Sequence, residues 1–281
     1  MPDWATFAGV SGVVLALLLL LAHASKSVVS DDAPPRPVSR RPQPGSVDPA
    51  VGDAPLADRV VDVGSVGTAD PDIDRWTDQT HATQPQLSTT ALLANVAVSQ
   101  GTFGFLLVAA AWFTEIPASA FGLSLAAPSL ATFGLGVGVG VALYAANEIG
   151  ASLGERLGVG ADEGLREALA PSSVAGWFVL LVLVLPVIAG FEELLFRGIL
   201  VGVFATGFGL SPWVLAVVSS VAFALGHGAQ GPAGVVVTGA LGFVLAAAFV
   251  LSGSLLVVIV AHYLVNALEF VVHEGLGLEW G

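Results

Sequence analysis

Five charged or histidine side chains interrupt an otherwise apolar stretch between Ser173 and Leu268: Glu192, Glu193, Arg197, His227 and His262. The amide Asn266 follows His262 by one helical turn. A charged side chain at the centre of a bilayer costs about 2.5–3.5 kcal/mol on the insertion scale, so such a group marks a functional site by default. Residues four apart share a helix face, which pairs Glu193 with Arg197 and sets Asn266 beside His262. Helix geometry turns Glu192 about 100° away from Glu193. One acid is therefore neutralised and one is left free. A free carboxylate in a low-dielectric site holds its proton more readily than in water, which suits a general base working near neutrality. The chemistry open to this set is hydrolysis by a glutamate base assisted by two histidines. A structural Glu–Arg pair with a spare interfacial acid fits the first element taken alone. Two histidines, an amide and paired acids on three neighbouring apolar helices weigh against it.

Other hydrolytic chemistries lack their residues. The chain has no cysteine, so no thiolate nucleophile or disulfide is available. No HExxH places two histidines and a glutamate on one helix face. The apolar stretch contains no aspartate for an acid dyad, and no Gly-x-Ser-Gly element for a serine enzyme. Ser220, seven residues before His227, is read as small polar packing.

The elements that must position these groups are membrane helices. The 281 residues are 55% hydrophobic and 11% charged, with a mean hydropathy of +0.84, where a soluble domain carries about 25% charge. Backbone polar groups find no partner in lipid, so the crossings must be helical. The expected architecture is an all-α polytopic membrane protein of about seven transmembrane helices, with the catalytic core in a four-helix-type arrangement. The spans read as Trp4 to Ala24, Thr90 to Phe113, Pro128 to Gly150, Val174 to about Thr206, Pro212 to His227, Ala233 to Val250 and Leu255 to Val272. Pro186 is expected to kink the fourth. Gly134, Gly136, Gly138 and Gly140 form two interleaved small-xxx-small patterns, the signature of close helix packing. Asn147 and Glu148 are expected to reach the interface, and GADEGLREALA to form a short surface helix.

Three segments follow. Residues 1–24 form an N-terminal anchor. Ala22-His23-Ala24 resembles a signal-peptidase site, but no basic residue precedes the run, which favours a retained span. Residues 25–87 hold ten aspartates and most of the prolines, and are expected to be a disordered acidic linker. Residues 88–281 form the membrane domain, with its motif core at 174–268. The net charge of −13 argues against nucleic-acid binding. Lys26, Arg36, Arg40 and Arg41 after the first span argue for a cytoplasmic linker. Counting from Val174 then carries Glu192 about 28 Å along its helix, towards the outer face, whereas one re-entrant segment around 116–130 reverses the answer, so the side that the site faces stays open.

The sequence FEELLFRG resembles the EExxxR signature of the CPBP family, the CaaX-protease and bacteriocin-processing membrane proteins. Phe223 with His227 matches the family's FxxxH element, and His262 with Asn266 its HxxxN element. The three occur in the family's order and cover about a third of the chain. The resemblance implies an intramembrane endopeptidase in the cell membrane that acts on a membrane-associated protein or peptide. It implies Glu192 as base on a water, His227 helping to hold that water, His262 and Asn266 stabilising the oxyanion, and Glu193 with Arg197 bracing the site beside Phe223. Glu192, His227 and His262 also make up the His₂Glu donor set of a hydrolytic zinc site. Activation of water by glutamate without metal is equally consistent with the motifs, so a divalent metal such as zinc is not required by them. A non-enzymatic scaffold or immunity protein would retain the same buried groups. So would an ion- or proton-coupled transporter, although no inverted repeat of the kind common in transporters is visible.

Overall fold

The computed structural model describes residues 1–31, 88–124, 127–156 and 164–278. Of the expected linker, residues 32–87 lie outside the described residues. Its first residues instead continue the anchor helix α1, which runs Trp4–Asp31 without a break at Ala24. The other helices are α2 (Thr89–Phe113), α3 (Leu130–Arg156), the short α4 (Gly164–Leu169), α5 (Val174–Phe208), α6 (Pro212–Gly226), α7 (Gly231–Ser252) and α8 (Leu255–Glu269). A π-helical turn, Phe270–Gly275, prolongs α8. No strand occurs among the described residues.

Among the described residues, six segments are long and apolar enough to cross a bilayer. The seventh expected crossing, α6, is equally apolar but has 15 residues, short of the roughly 20 that a straight crossing needs. Large apolar side chains such as Trp112, Phe113 and Val174 stay exposed, as lipid-facing residues do.

The centre of the bundle is α8, whose span is the most buried of the six at 44%. Its neighbour α3 approaches through two glycines. A Cβ on Gly136 would stand 2.9 Å from the Val257 carbonyl oxygen, and one on Gly140 2.9 Å from that of Ala261. Gly134 and Gly138 have no atom within 4 Å of a Cβ position. Only one of the two interleaved patterns is thus an interface, because residues two apart fall on different helix faces.

The ends of the bundle are tied separately. At one end the Met1 ammonium pairs with Glu115 at 3.1 Å, and the Asp3 N–H donates to the Thr114 carbonyl at 2.8 Å. Asp3 also caps α1, accepting from the Thr6 hydroxyl and N–H. The hydroxyl contact chiefly holds the Asp3 carboxyl below its usual pKa. At the other end Arg166 of α4 pairs with Glu269 and Glu274, Asn147 donates to Glu269, and His273 lies 2.9 Å from Glu148. Asn147 and Glu148 are thus partnered at the end of α3. They close a half-buried polar network between α3, α4 and the end of α8.

Candidate active site

The acid-bearing helix is not a regular α-helix. A π-helical turn, Leu180–Val184, ends just before Pro186. Proline lacks an N–H and its ring crowds the carbonyl four residues earlier, so the expected disturbance falls in the preceding turn. Regular helix resumes over Leu185–Glu193, and a second π stretch, Leu194–Val203, begins directly after the acid pair. Such stretches occur frequently at functional sites. Here the transition separates Glu192 and Glu193, on regular helix, from Arg197, on π-helix.

Glu193 and Arg197 are fully buried and joined as the spacing foretells, with Nη1 donating to Oε1 at 2.7 Å. Nη2 donates to the Gly242 carbonyl of α7 at 2.9 Å. A Cβ on Gly242 would stand 3.0 Å from the Phe223 ring and 3.4 Å from Nη2, so this close approach depends on glycine. The guanidinium carbon lies 4.6 Å from the centroid of the Phe223 ring.

Glu193 does more than brace the arginine. Its Oε1 also accepts from Nδ1–H of His262 at 2.7 Å. A carboxylate that receives Nδ1–H fixes both the tilt of the imidazole and which nitrogen is left for chemistry. The other nitrogen, Nε2, stands 3.7 Å from Oε2 of Glu192. His262 therefore lies between the two acids. The Glu192 side chain retains 11% exposure, whereas that of Glu193 has none.

Phe223 organises the rest. Its ring meets those of Phe196 at 5.0 Å, His227 at 4.5 Å and His262 at 6.0 Å, so both histidines flank one aromatic side chain. The reason for its spacing from His227 is local. The His227 N–H bonds to the Ala224 carbonyl, three residues back. That leaves the Phe223 carbonyl as one of the unsatisfied groups of a helix end. The imidazole takes it, with Nδ1–H donating at 2.8 Å, and Nε2 keeps its lone pair.

Glu192, Glu193, Arg197, Phe223, His227 and His262 thus form one connected cluster. Asn266 lies one turn beyond His262 on the central helix and is partly buried, with no side-chain hydrogen bond among the described residues. Ser220 donates to the Ala216 carbonyl of its own helix at 2.7 Å, in keeping with a packing role. Two contributors escaped the motifs. Gly242 carries no chemical group and is visible only through the close approach of α7. Gln100 places Nε2 3.5 Å from Oε1 of Glu192. Its sequence signal is an amide in the apolar run of α2.

Gln100 lies near the midpoint of the 25-residue α2 and touches Glu192, which sets the acid level with the middle of that helix.

The ligand atoms of Glu192, His227 and His262 do not all lie within 4.8 Å of one another. Among the described residues the set that does is Glu148, Glu269 and His273. Nδ1 of His262 is committed to Glu193 and Nδ1 of His227 to the Phe223 carbonyl, leaving one nitrogen of each ring for other partners.

A family model described as Rce1-like, type II CAAX prenyl endopeptidase, matches residues 173–268. The interval opens on Ser173, which caps α5 by accepting from the Gly176 N–H, and closes two residues after Asn266. It contains every motif residue, whereas α1, α2 and α3 lie outside it. The chain matches no curated protein and no solved structure.

Proposed function

Starting from the match of residues 173–268 to the Rce1-like endopeptidase family, we propose that this multi-pass membrane protein is an intramembrane endopeptidase of the cell membrane. It hydrolyses a peptide bond in a membrane-associated protein or peptide, with Glu192 as the water-activating base. The observation that carries the reading is the position of His262, its Nδ1 bonded to the buried Glu193 and its Nε2 facing Glu192 at 3.7 Å. A merely structural Glu–Arg pair gives no reason for a second acid across the same imidazole.

The steps follow from the chain's own groups. Oε2 of Glu192 takes a proton from water as the water oxygen bonds to the scissile carbonyl carbon. The lone pair on Nε2 of His227 accepts the hydrogen bond of the remaining O–H. Charge developing on the former carbonyl oxygen is met by the Asn266 amide and by Nε2–H of His262 when that ring is doubly protonated. Glu192 then passes its proton to the amide nitrogen, the C–N bond breaks, and an acid and an amine leave. Each donor that meets the oxyanion is worth about 10²–10³ in rate. Glu193 and Arg197 hold the His262 ring, and Phe223 keeps the two imidazoles on one wall.

The test is cleavage profiling of membranes from cells carrying the wild-type protein against cells carrying Glu192→Ala. New protein termini that appear only with the wild type support the endopeptidase. Identical profiles would leave the scaffold and transporter readings in front.

A further inference from the structure

The helix α2 stands outside the matched interval, yet it is seated on the turn of α5 that carries the base. A Cβ on Gly101 would lie 4.0 Å from Val187, and one on Gly104 3.6 Å from Phe191. Phe103 stacks on Phe191 with centroids 6.3 Å apart. These small and flat contacts bring the α2 backbone close enough for the neighbouring Gln100 to reach Oε1 of Glu192.

The two ends of the Gln100 amide are treated differently. Nε2 meets the Glu192 carboxylate, while Oε1 is buried and has no partner among the described residues. Burying an amide in an apolar helix is costly unless both ends are paired. A glutamine kept for packing or for tying helices together would have its carbonyl satisfied. Here the one polar contact that accounts for the side chain is with the base. The carboxylate of Glu192 is thereby divided, Oε1 against Gln100 and Oε2 towards Nε2 of His262 at 3.7 Å. The terminal torsion of a glutamate is broad and roughly two-fold, so an unheld carboxylate would sample many orientations.

We propose that Gln100 is a positioning residue for the hydrolysis: its side-chain N–H holds Oε1 of Glu192, so that Oε2 faces the water. This rests on the reading of Glu192 as the base. The contact itself can be tested without any substrate. In liposome-reconstituted protein, the infrared difference between wild type and Glu192→Gln isolates the Glu192 carboxyl band. The same difference taken in a Gln100→Met background should place that band at a shifted frequency, because the donor is gone. A band that stays in place overturns the proposal whether or not the protein is a protease.

The second arm uses a peptide copied from a cleavage site that depends on Glu192. Gln100→Met keeps length and volume. It should lower kcat about tenfold, the scale of a modest misplacement of a reacting group, with KM within about twofold of wild type and an unchanged melting temperature. Gln100→Asn keeps the amide but shortens its reach, and should behave in the same way if the methionine variant folds poorly. Unchanged kcat in both, or a rise in KM alone, would overturn the positioning role. If no Glu192-dependent cleavage is found, the protease reading fails while the infrared result still decides the contact.

Discussion

Removing the guanidinium of Arg197 should unfold the site rather than merely silence it. Arg197 is fully buried, and it holds Glu193 at 2.7 Å, the Gly242 carbonyl at 2.9 Å and the face of Phe223 at 4.6 Å. In Arg197→Ala the Glu193 carboxylate stays buried with His262 as its remaining partner, and its Oε2 already has no partner among the described residues. Stranding one member of a buried pair typically costs about 3–5 kcal/mol. A desolvated cation–π contact of up to about 2 kcal/mol is lost in the same deletion, so about 4 kcal/mol is a working figure. Against a total stability of about 5–15 kcal/mol that is a large share. By the scaling for domains of about 150–250 residues it lowers the melting temperature by about 8–16 °C. The assay is scanning fluorimetry of the six tryptophans in detergent, with folded yield measured by gel filtration. Arg197→Lys keeps the charge but not the fork, and should lose roughly half as much. The double variant Glu193→Leu, Arg197→Leu removes both charges and should melt above Arg197→Ala, though inactive. An Arg197→Ala protein that melts within about 2 °C of wild type would refute the pair as the brace of the site.

Other expectations follow from the same geometry. Gly140→Leu should disrupt the contact of α3 with α8 and reduce folded yield, whereas Gly138→Leu should be tolerated, because Gly140 meets backbone across the interface and Gly138 meets nothing; gel filtration of both variants decides it. Gly242→Val should push Phe223 and the guanidinium apart, costing about 1–3 kcal/mol as overpacking does, read as a fall in melting temperature together with activity. Asn266→Ala should lower the rate by about 10²-fold with little change in melting temperature, since its side chain makes no hydrogen bond among the described residues to lose; a matching drop in stability would instead make it structural.

Much of the site was legible because it is written in local spacing. Glu193 with Arg197, and Phe223 with His227, sit four apart, and the contacts that define them are one-turn contacts. The helical class followed from hydropathy, since lipid leaves the backbone no other option. What stayed hidden depends on how helices meet. The bond between Glu193 and His262 spans 69 residues, so helix periodicity alone could not show that one acid serves both the arginine and a histidine. Gln100 lies 92 residues from Glu192, and no local spacing links the two. The π stretches of α5 were invisible because apolar periodicity fixes a helix but not its exact pitch. The division of the glycine patterns in α3 was within reach of the sequence only as a choice between two faces.

The central claim is that Glu192 is the base, and its most direct test is Glu192→Gln, which keeps shape and hydrogen bonding but removes basicity. Reconstituted wild-type and variant proteins are compared on a peptide taken from a mapped cleavage site, with melting temperature measured on the same samples. The account predicts a fall in rate of at least about 10²-fold with the melting temperature nearly unchanged. A Glu192→Gln protein that is folded and cleaves at a rate near that of wild type would contradict it.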